Sequence, residues 1–258
     1  MDNNLFVGKV LHTFDSLPST NDYLVELLAK SEPPEGMVVC ADNQTAGRGQ
    51  YGSRWHSAPG ENLLVSVLFY PQWLSVADQW LLSEAMAVAV RQAVAEATQL
   101  PVHIKWPNDV YVGGRKVAGL LLQCGLNGAS LRYAVVGIGL NVNQCFFPPE
   151  VPNATSLASV CGRLFDRSAV LERLLVWVEQ SYLQLRRGGK HIRSLYRENL
   201  LGLGRRRAFR RPDGSVFGAM PVDVLPDGRL LLQTEQGEVA FSVKELVWLF
   251  DDSPADQG

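Results

Sequence analysis

The chain alternates between short apolar runs with strand character and longer stretches with helical spacing. Residues 5–14 (LFVGKVLHTF) read as a strand. Ser19-Thr20-Asn21-Asp22 reads as a helix start, with Ser19 and Asp22 at capping-box spacing and Leu24, Leu27 and Leu28 on one face behind them. Pro33-Pro34-Glu35-Gly36 stops that helix. Residues 37–41 form a short buried strand that leads into a glycine-rich stretch, and residues 62–70 form another strand. Residues 81–99 are Ala-rich with helical periodicity, closed by Pro101. Residues 103–106 and 109–112 are extended, Gly113-Gly114 makes a hairpin turn, and residues 116–123 and 132–142 supply further strands. Residues 168–187 carry Leu171, Leu174, Leu175, Val178, Tyr182 and Leu185 on one helical face.

The texture changes near Gly202. Short strands follow, separated by Pro212-Asp213-Gly214, Pro226-Asp227-Gly228 and Gln236-Gly237, the rhythm of a small β-barrel. A boundary within residues 198–204 divides the chain into a larger part, residues 1–200, and a smaller one, residues 201–258. The larger part mixes hairpins with helices, which fits an α+β architecture better than a doubly wound parallel sheet.

Composition narrows the class. Of 258 residues, 47% are hydrophobic, enough for a substantial core, and 19% are charged, too few for a disordered chain or a coiled coil. A net charge of −2 gives no whole-protein attraction to nucleic acid, so Arg205-Arg206-Arg207 and Arg210-Arg211 read most simply as a solvated barrel strand, with an acidic protein surface or phosphates as alternative partners. The strongest apolar run, residues 63–70, is far shorter than the roughly 20 residues that span a bilayer. Met-Asp-Asn-Asn carries no secretion signal, so the expected setting is the cytoplasm, with no membrane partner. Cys40, Cys124, Cys145 and Cys161 form no C-x-x-C pair and read as thiols in a reducing compartment.

Gly47-Arg48-Gly49-Gln50-Tyr51-Gly52 matches the dinucleotide pattern G-x-G-x-x-G, but the context does not. A dinucleotide loop needs a helix directly after it to hold the pyrophosphate, and here Pro59-Gly60 forbids one. The acidic residue expected about 20 positions on is missing, since position 70 is tyrosine. The loop instead offers Arg48 and Arg54 on a flexible backbone with Trp55 behind, suited to closing over phosphate or carboxylate oxygens or, equally, to lying in solvent.

Other motifs break that tie: Ser19-Thr20-Asn21, Gln44-Thr45-Ala46-Gly47-Arg48-Gly49, Lys105-Trp106-Pro107-Asn108-Asp109, Arg115-Lys116-Val117-Ala118-Gly119-Leu120-Leu121 and Gly137-Ile138-Gly139-Leu140-Asn141-Val142-Asn143. In this order and spacing the chain closely resembles the biotin protein ligases (biotin–[acetyl-CoA-carboxylase] ligases), over residues 5 to about 250. The resemblance implies an α+β catalytic domain like that of class II aminoacyl-tRNA synthetases, followed by an SH3-like barrel. It implies that the carboxylate of biotin attacks the α-phosphate of ATP, giving biotinyl-5′-AMP, and that a lysine of a biotin carboxyl carrier protein domain then takes the biotin. Since Ser-Thr-Asn begins at residue 19, the resemblance is to the monofunctional members without a DNA-binding domain. It leaves a monomer and a homodimer both open.

The resemblance also distributes roles. Ser19, Thr20, Asn21 and Gln44 read the ureido ring, with Gln44 able to match an N–H and a C=O at once. Helix capping is the plainer role for the first three. Arg48 reaches the biotin carboxylate and α-phosphate, and Gly47 and Gly49 let its loop approach. Lys116 aims its ammonium at the same oxygens, and Gly119 and Leu121 line the biotin pocket. Arg48, Gly49, Arg54, Trp55, Lys116 and Asn141 bind nucleotide, Asn141 at the adenine edge or, as plausibly, as a strand-end turn. Asp109 orients Lys116, assists the acceptor lysine, or holds Mg²⁺ through water, with Asn108 and Trp106 as its neighbours. Mg²⁺ is expected with ATP, held mainly through substrate phosphates. At position 50 some members carry an arginine thought to help retain the adenylate, and here it is Gln50. The nearest rival, a lipoate ligase or octanoyltransferase, has no use for ureido-reading groups, and Cys124, eight residues after Lys116, lacks the context of a transfer cysteine. A biotin-sensing module without turnover has no need of Arg48 and Lys116.

Overall fold

The computed structural model describes residues 4–249. The termini on which the expected domain limits 1 and 258 fall lie outside them. Seven strands form one sheet in the order β1-β2-β3-β7-β6-β5-β4. They are β1 (Leu11–Leu17), β2 (Val38–Gln44), β3 (Leu63–Phe69), β4 (Val102–Lys105), β5 (Asp109–Val112), β6 (Arg115–Asn127) and β7 (Ser130–Leu140). Only β1 and β2 run parallel; the other pairs are antiparallel. The mixture is α+β, as expected.

Every residue of β3 is buried, because the strand is covered on both faces. Leu63, Val65, Val67 and Phe69 face the main core with α2 (Trp80–Thr98) and α4 (Arg167–Arg187). Leu68 faces the opposite side with Leu24 of α1 (Thr20–Leu28). Period-two alternation therefore puts Ser66 on the α1 face, beneath the start of that helix. Two helices escaped the sequence reading: α3 (Leu157–Cys161) and α5 (Gly189–Glu198).

The first strand is shorter than expected. The backbone N–H groups of Leu5, Phe6 and Val7 donate to the Glu179 carboxylate of α4 at 2.8, 2.7 and 2.9 Å. A buried charge takes three donors that a strand would have spent on its neighbour, and pairing starts only at Leu11.

A second, antiparallel sheet follows, ordered β11-β10-β9-β8-β12. Its strands are β8 (Arg207–Arg210), β9 (Val216–Val224), β10 (Leu230–Thr234), β11 (Gly237–Phe241) and β12 (Val247–Leu249). Its core is not separate: Phe209, Leu230 and Trp248 share a cluster with Val88, Ile104, Trp106 and Tyr196 of the larger part. Two arginines flanking β8 have partners: Arg206 meets Glu235 at 2.7 Å and Arg211 lies over the Phe217 ring.

At the seam with α5, Glu84 is fully buried and Arg193 Nε stands 3.6 Å from its carboxylate. Burial pushes the Glu84 carboxyl up to about 7, against the opposing pull of Arg193. As pH rises from about 4.5 to about 7 the unfolded chain loses this proton before the folded one, so folding stability falls across that window. Glu84→Gln is expected to flatten the fall, worth on the order of 2–3 kcal/mol. Urea unfolding at pH 5 and pH 8 measures it; an unchanged gap between the two would show that Glu84 does not titrate there.

Candidate active site

The site opens on the α1 face of the larger sheet, where β2 ends and glycines thin β6 and β7. Ser19 caps α1, its Oγ accepting the Asp22 N–H at 3.3 Å. Thr20 donates twice to Gln44 Oε1, from its backbone N at 2.7 Å and its Oγ1 at 3.0 Å. Both lone pairs of that oxygen are then engaged, so Gln44 offers the pocket a donor rather than the donor–acceptor pair expected of it. Asn21 Nδ2 donates to the Leu121 carbonyl at 3.3 Å. Beneath them, Ser66 Oγ lies 2.7 Å from Thr20 Oγ1 and 2.6 Å from Asn21 Oδ1, and gives its single proton to one of the two. Ser66 was missed in the sequence. Its signal was a lone hydroxyl in the apolar run LLVSVLF.

The glycine loop is a small closed hairpin. Trp55 N–H donates to Gly47 O at 3.0 Å, and Gly49 N–H to Ser53 O at 2.7 Å. Arg54 Nη2 donates to Thr45 O at 3.2 Å. Gln50–Gly52 form one 3₁₀ turn and no helix follows, so the dinucleotide geometry is not present. Gln50 itself lines the pocket. Trp55 seats the loop on the sheet: a Cβ at Gly139 would lie 2.4 Å from its Cε2, and one at Gly119 3.0 Å from its Cζ3. Arg48 pairs with Asp22 in the first turn of α1, a partner the sequence did not reveal.

Lys116 follows the tight Gly113-Gly114 turn on β6, and its Nζ sits 2.6 Å from Asp109 Oδ1. Lys105 Nζ approaches the other oxygen of Asp109 at 4.0 Å, and burial lowers the Lys105 pKa. The Lys116 backbone is pinned on both sides, its N–H to Asn153 O at 2.7 Å and its carbonyl to Thr155 N–H at 2.8 Å. Of the expected neighbours of Asp109, Asn108 stays close and donates to Leu120 O. Trp106 turns away: it is buried and its Nε1 donates to Gly228 O, in the turn between β9 and β10, at 2.8 Å.

Two cavities meet here. The first is lined by Ser19, Thr20, Asn21, Gln44, Arg48, Gly49, Asp109, Gly119 and Leu121, so most of the sequence-nominated residues converge on it. The second is more apolar and is walled by Tyr111, Phe147, Pro152 and Asn141. Arg54, Trp55 and Lys116 line both. Asn141 Nδ2 donates to Thr155 O at 2.9 Å, whereas its Oδ1 is buried and accepts no hydrogen bond among the described residues. That oxygen is an acceptor still to be satisfied. Gly47 lines neither cavity; it fits between Trp55 O and Gln44 Nε2.

A cleft with amides and hydroxyls at one end, cations in the middle and an apolar chamber beyond suits two substrates that react where the chambers join. The sequence pattern of the biotin/lipoate A/B protein ligase family matches residues 13–141. The bifunctional ligase/repressor BirA of Bacillus subtilis is 36% identical over 236 residues, spanning 90% of this chain and 71% of that protein. The biotin–[acetyl-CoA-carboxylase] ligase of Mycobacterium tuberculosis is 33% identical over 235 residues, spanning 90% of this chain and 86% of that protein. Among solved structures, the Aquifex aeolicus biotin protein ligase in complex with biotin and ATP superposes with a TM-score of 0.78 at 28% identity, covering 94% of this chain and all of that one. A match of this extent in sequence and fold shows that the chain belongs to the biotin/lipoate A/B protein ligase family, among its biotin protein ligases.

Proposed function

We propose that the protein activates biotin with ATP and transfers it to a lysine of a biotin carboxyl carrier protein domain. The observation that carries this reading is the sharing of Lys116, Arg54 and Trp55 between the two cavities. Biotin lies in the first, its ureido ring against Ser19, Thr20, Asn21 and Gln44 and its chain along Gly119 and Leu121. Its carboxylate points to Arg48 and Lys116. ATP enters the second, its adenine edge donating to the unpartnered Asn141 Oδ1 and its α-phosphate brought to the same cations.

No protein nucleophile is needed. The carboxylate oxygen of biotin attacks the α-phosphorus, the bond to the bridging oxygen breaks, and pyrophosphate leaves. The protein contributes positioning and fixed positive charge where negative charge is shared in the transition state. Asp109 holds the Lys116 ammonium in place through the 2.6 Å pair, which favours orientation among its three candidate roles. An acceptor lysine, as the free amine, then attacks the carbonyl of the mixed anhydride; the amide forms, a proton is lost and AMP departs. Mg²⁺ supplies charge neutralisation for the departing pyrophosphate when bound. The substrate phosphates would be its main ligands, and Asp109, a carboxylate lining the pocket, would be the protein group to meet it through water.

A covalent thioester route finds no support in the cysteines near the sheet. Burial raises the Cys124 thiol and pushes Cys40 up to about 12, so neither is a ready thiolate. The four cysteines are free, which supports a reducing, cytoplasmic setting. No described helix is long and apolar enough to cross a membrane. We further divide the chain into a biotin- and ATP-binding part, residues 1–200, and a C-terminal SH3-like part, residues 201–258, a reading supported by the second sheet beginning at Arg207.

The reading is tested by incubating the protein with labelled biotin and a biotin carboxyl carrier domain. Label is expected on the carrier only with ATP and Mg²⁺ present, and not when the acceptor lysine is arginine. Labelling without ATP, or no labelling of any carrier domain by folded protein, would overturn it.

A further inference from the structure

Arg48 stands between two glycines on an exposed hairpin, yet its side chain is held. Its Nη2 donates to Asp22 Oδ1, a charge-assisted contact between residues 26 apart in the chain. Asp22 belongs to the first turn of α1, and its backbone N–H is already fixed by Ser19 Oγ. Ser19, Thr20 and Asn21 in that same turn line the first cavity, as does Arg48. The ion pair therefore ties the loop cation of the site to the helix start that lines the same cavity.

We infer that Asp22 is a positioning residue for adenylation: it holds one edge of the Arg48 guanidinium so that the remaining donors stay over the pocket. Arginine carries five N–H donors in a planar fork, so holding Nη2 leaves Nε and Nη1 free for oxygen atoms of substrate. An unanchored arginine on a glycine-flanked loop samples many rotamers, and ordering it costs free energy on each substrate encounter. Asp22 also completes the link between loop and helix at the end opposite Trp55, whose ring seats on Gly139. This inference rests on the proposed ligase reading.

An acidic residue in the first turn also stabilises a helix through its dipole, with no reference to Arg48. The two roles separate in a double-mutant cycle. Single-turnover formation of biotinyl adenylate is measured for the wild type, Asp22→Ala, Asp22→Asn, Arg48→Ala and the double variant, with thermal melting of each. Wild-type adenylate formation establishes the activation step of the ligase reading; its failure is a failure of that reading and not of Asp22. Given wild-type activity, Asp22→Ala is expected to lower kcat/KM for biotin by about tenfold. Asp22→Asn, which keeps an acceptor oxygen, falls between. In the Arg48→Ala background, Asp22→Ala adds nothing. An unchanged kcat/KM in Asp22→Ala, or an equal loss in both backgrounds, would overturn the inference and leave Asp22 as a helix-stabilising acid.

Discussion

Lys116→Ala is expected to lower the rate of biotinyl adenylate formation by about 10²–10³-fold, the usual cost of losing one preorganised charge at a reacting oxygen. Three features support a loss of that size. Lys116 lines both cavities, so on the proposed reading one ammonium serves the carboxylate and the phosphate alike. It is held by Asp109 at 2.6 Å, so its position is set before substrate arrives. Its backbone is locked to Asn153 and Thr155, and residues 151–154 form one wall of the apolar chamber. The fold should survive, because the side chain is 31% exposed and Lys105 remains 4.0 Å from Asp109 to offset its charge. Single-turnover kinetics with circular dichroism melting separates the two effects. A near-normal rate in a folded variant would remove Lys116 from the chemistry.

A single methyl group on β7 should be almost as damaging. Gly139→Ala places its Cβ 2.4 Å from Trp55 Cε2, and the indole is a rigid plane with no flexible end to yield. The ring must leave its seat, and with it the end of the loop that carries Arg48 and Arg54. Because Trp55 lines both cavities, kcat/KM should fall for biotin and for ATP together, by at least about tenfold, while overpacking costs on the order of 1–3 kcal/mol of stability. Gly137→Ala makes an instructive contrast. Its Cβ would lie 2.4 Å from Asn21 Oδ1 instead, at the ureido end, so the loss should fall on biotin and largely spare ATP. Steady-state kinetics with each substrate varied in turn distinguishes the patterns. Identical losses in the two variants would mean that the two glycines do not serve separate neighbours.

Much of the fold was legible because local patterns and tertiary burial agree in it. The α1 helix begins where Ser19 and Asp22 announce it, and the sequence reading places β3, α2, β5 and α4 within a few residues of their observed ends. Failures came where a distant group overrode local preference. Residues 5–10 look like strand, but Glu179 of α4 takes their amide protons. The sequence reading ends the long helix at residue 187, yet α5 begins at Gly189, with Ile192 and Tyr196 as its buried anchors. Ile192, Leu195 and Tyr196 recur at helical spacing, so a signal was there, confined to ten residues that open on the second of two glycines.

The site divides in the same way. Residue types with distinctive chemistry, such as Arg48, Lys116 and Gln44, stand out in a chain, and they converge on the joined cavities. What could not be read is pairing across the fold: Ser66 beneath Asn21, Asp22 against Arg48, and Trp106 bonded to the β9–β10 turn rather than beside Asp109. Each joins residues far apart in sequence. Gln44 shows the consequence. Its amide has two functions on paper, and Thr20 consumes one of them.

The most direct test of the account is ATP–pyrophosphate exchange by purified protein with Mg²⁺, comparing biotin, lipoate, octanoate and no acid. The cluster of Ser19, Thr20, Asn21 and Gln44, which we propose reads the ureido ring, predicts exchange with biotin alone. Exchange with lipoate or octanoate at a comparable rate, or none with biotin by folded protein, would contradict it.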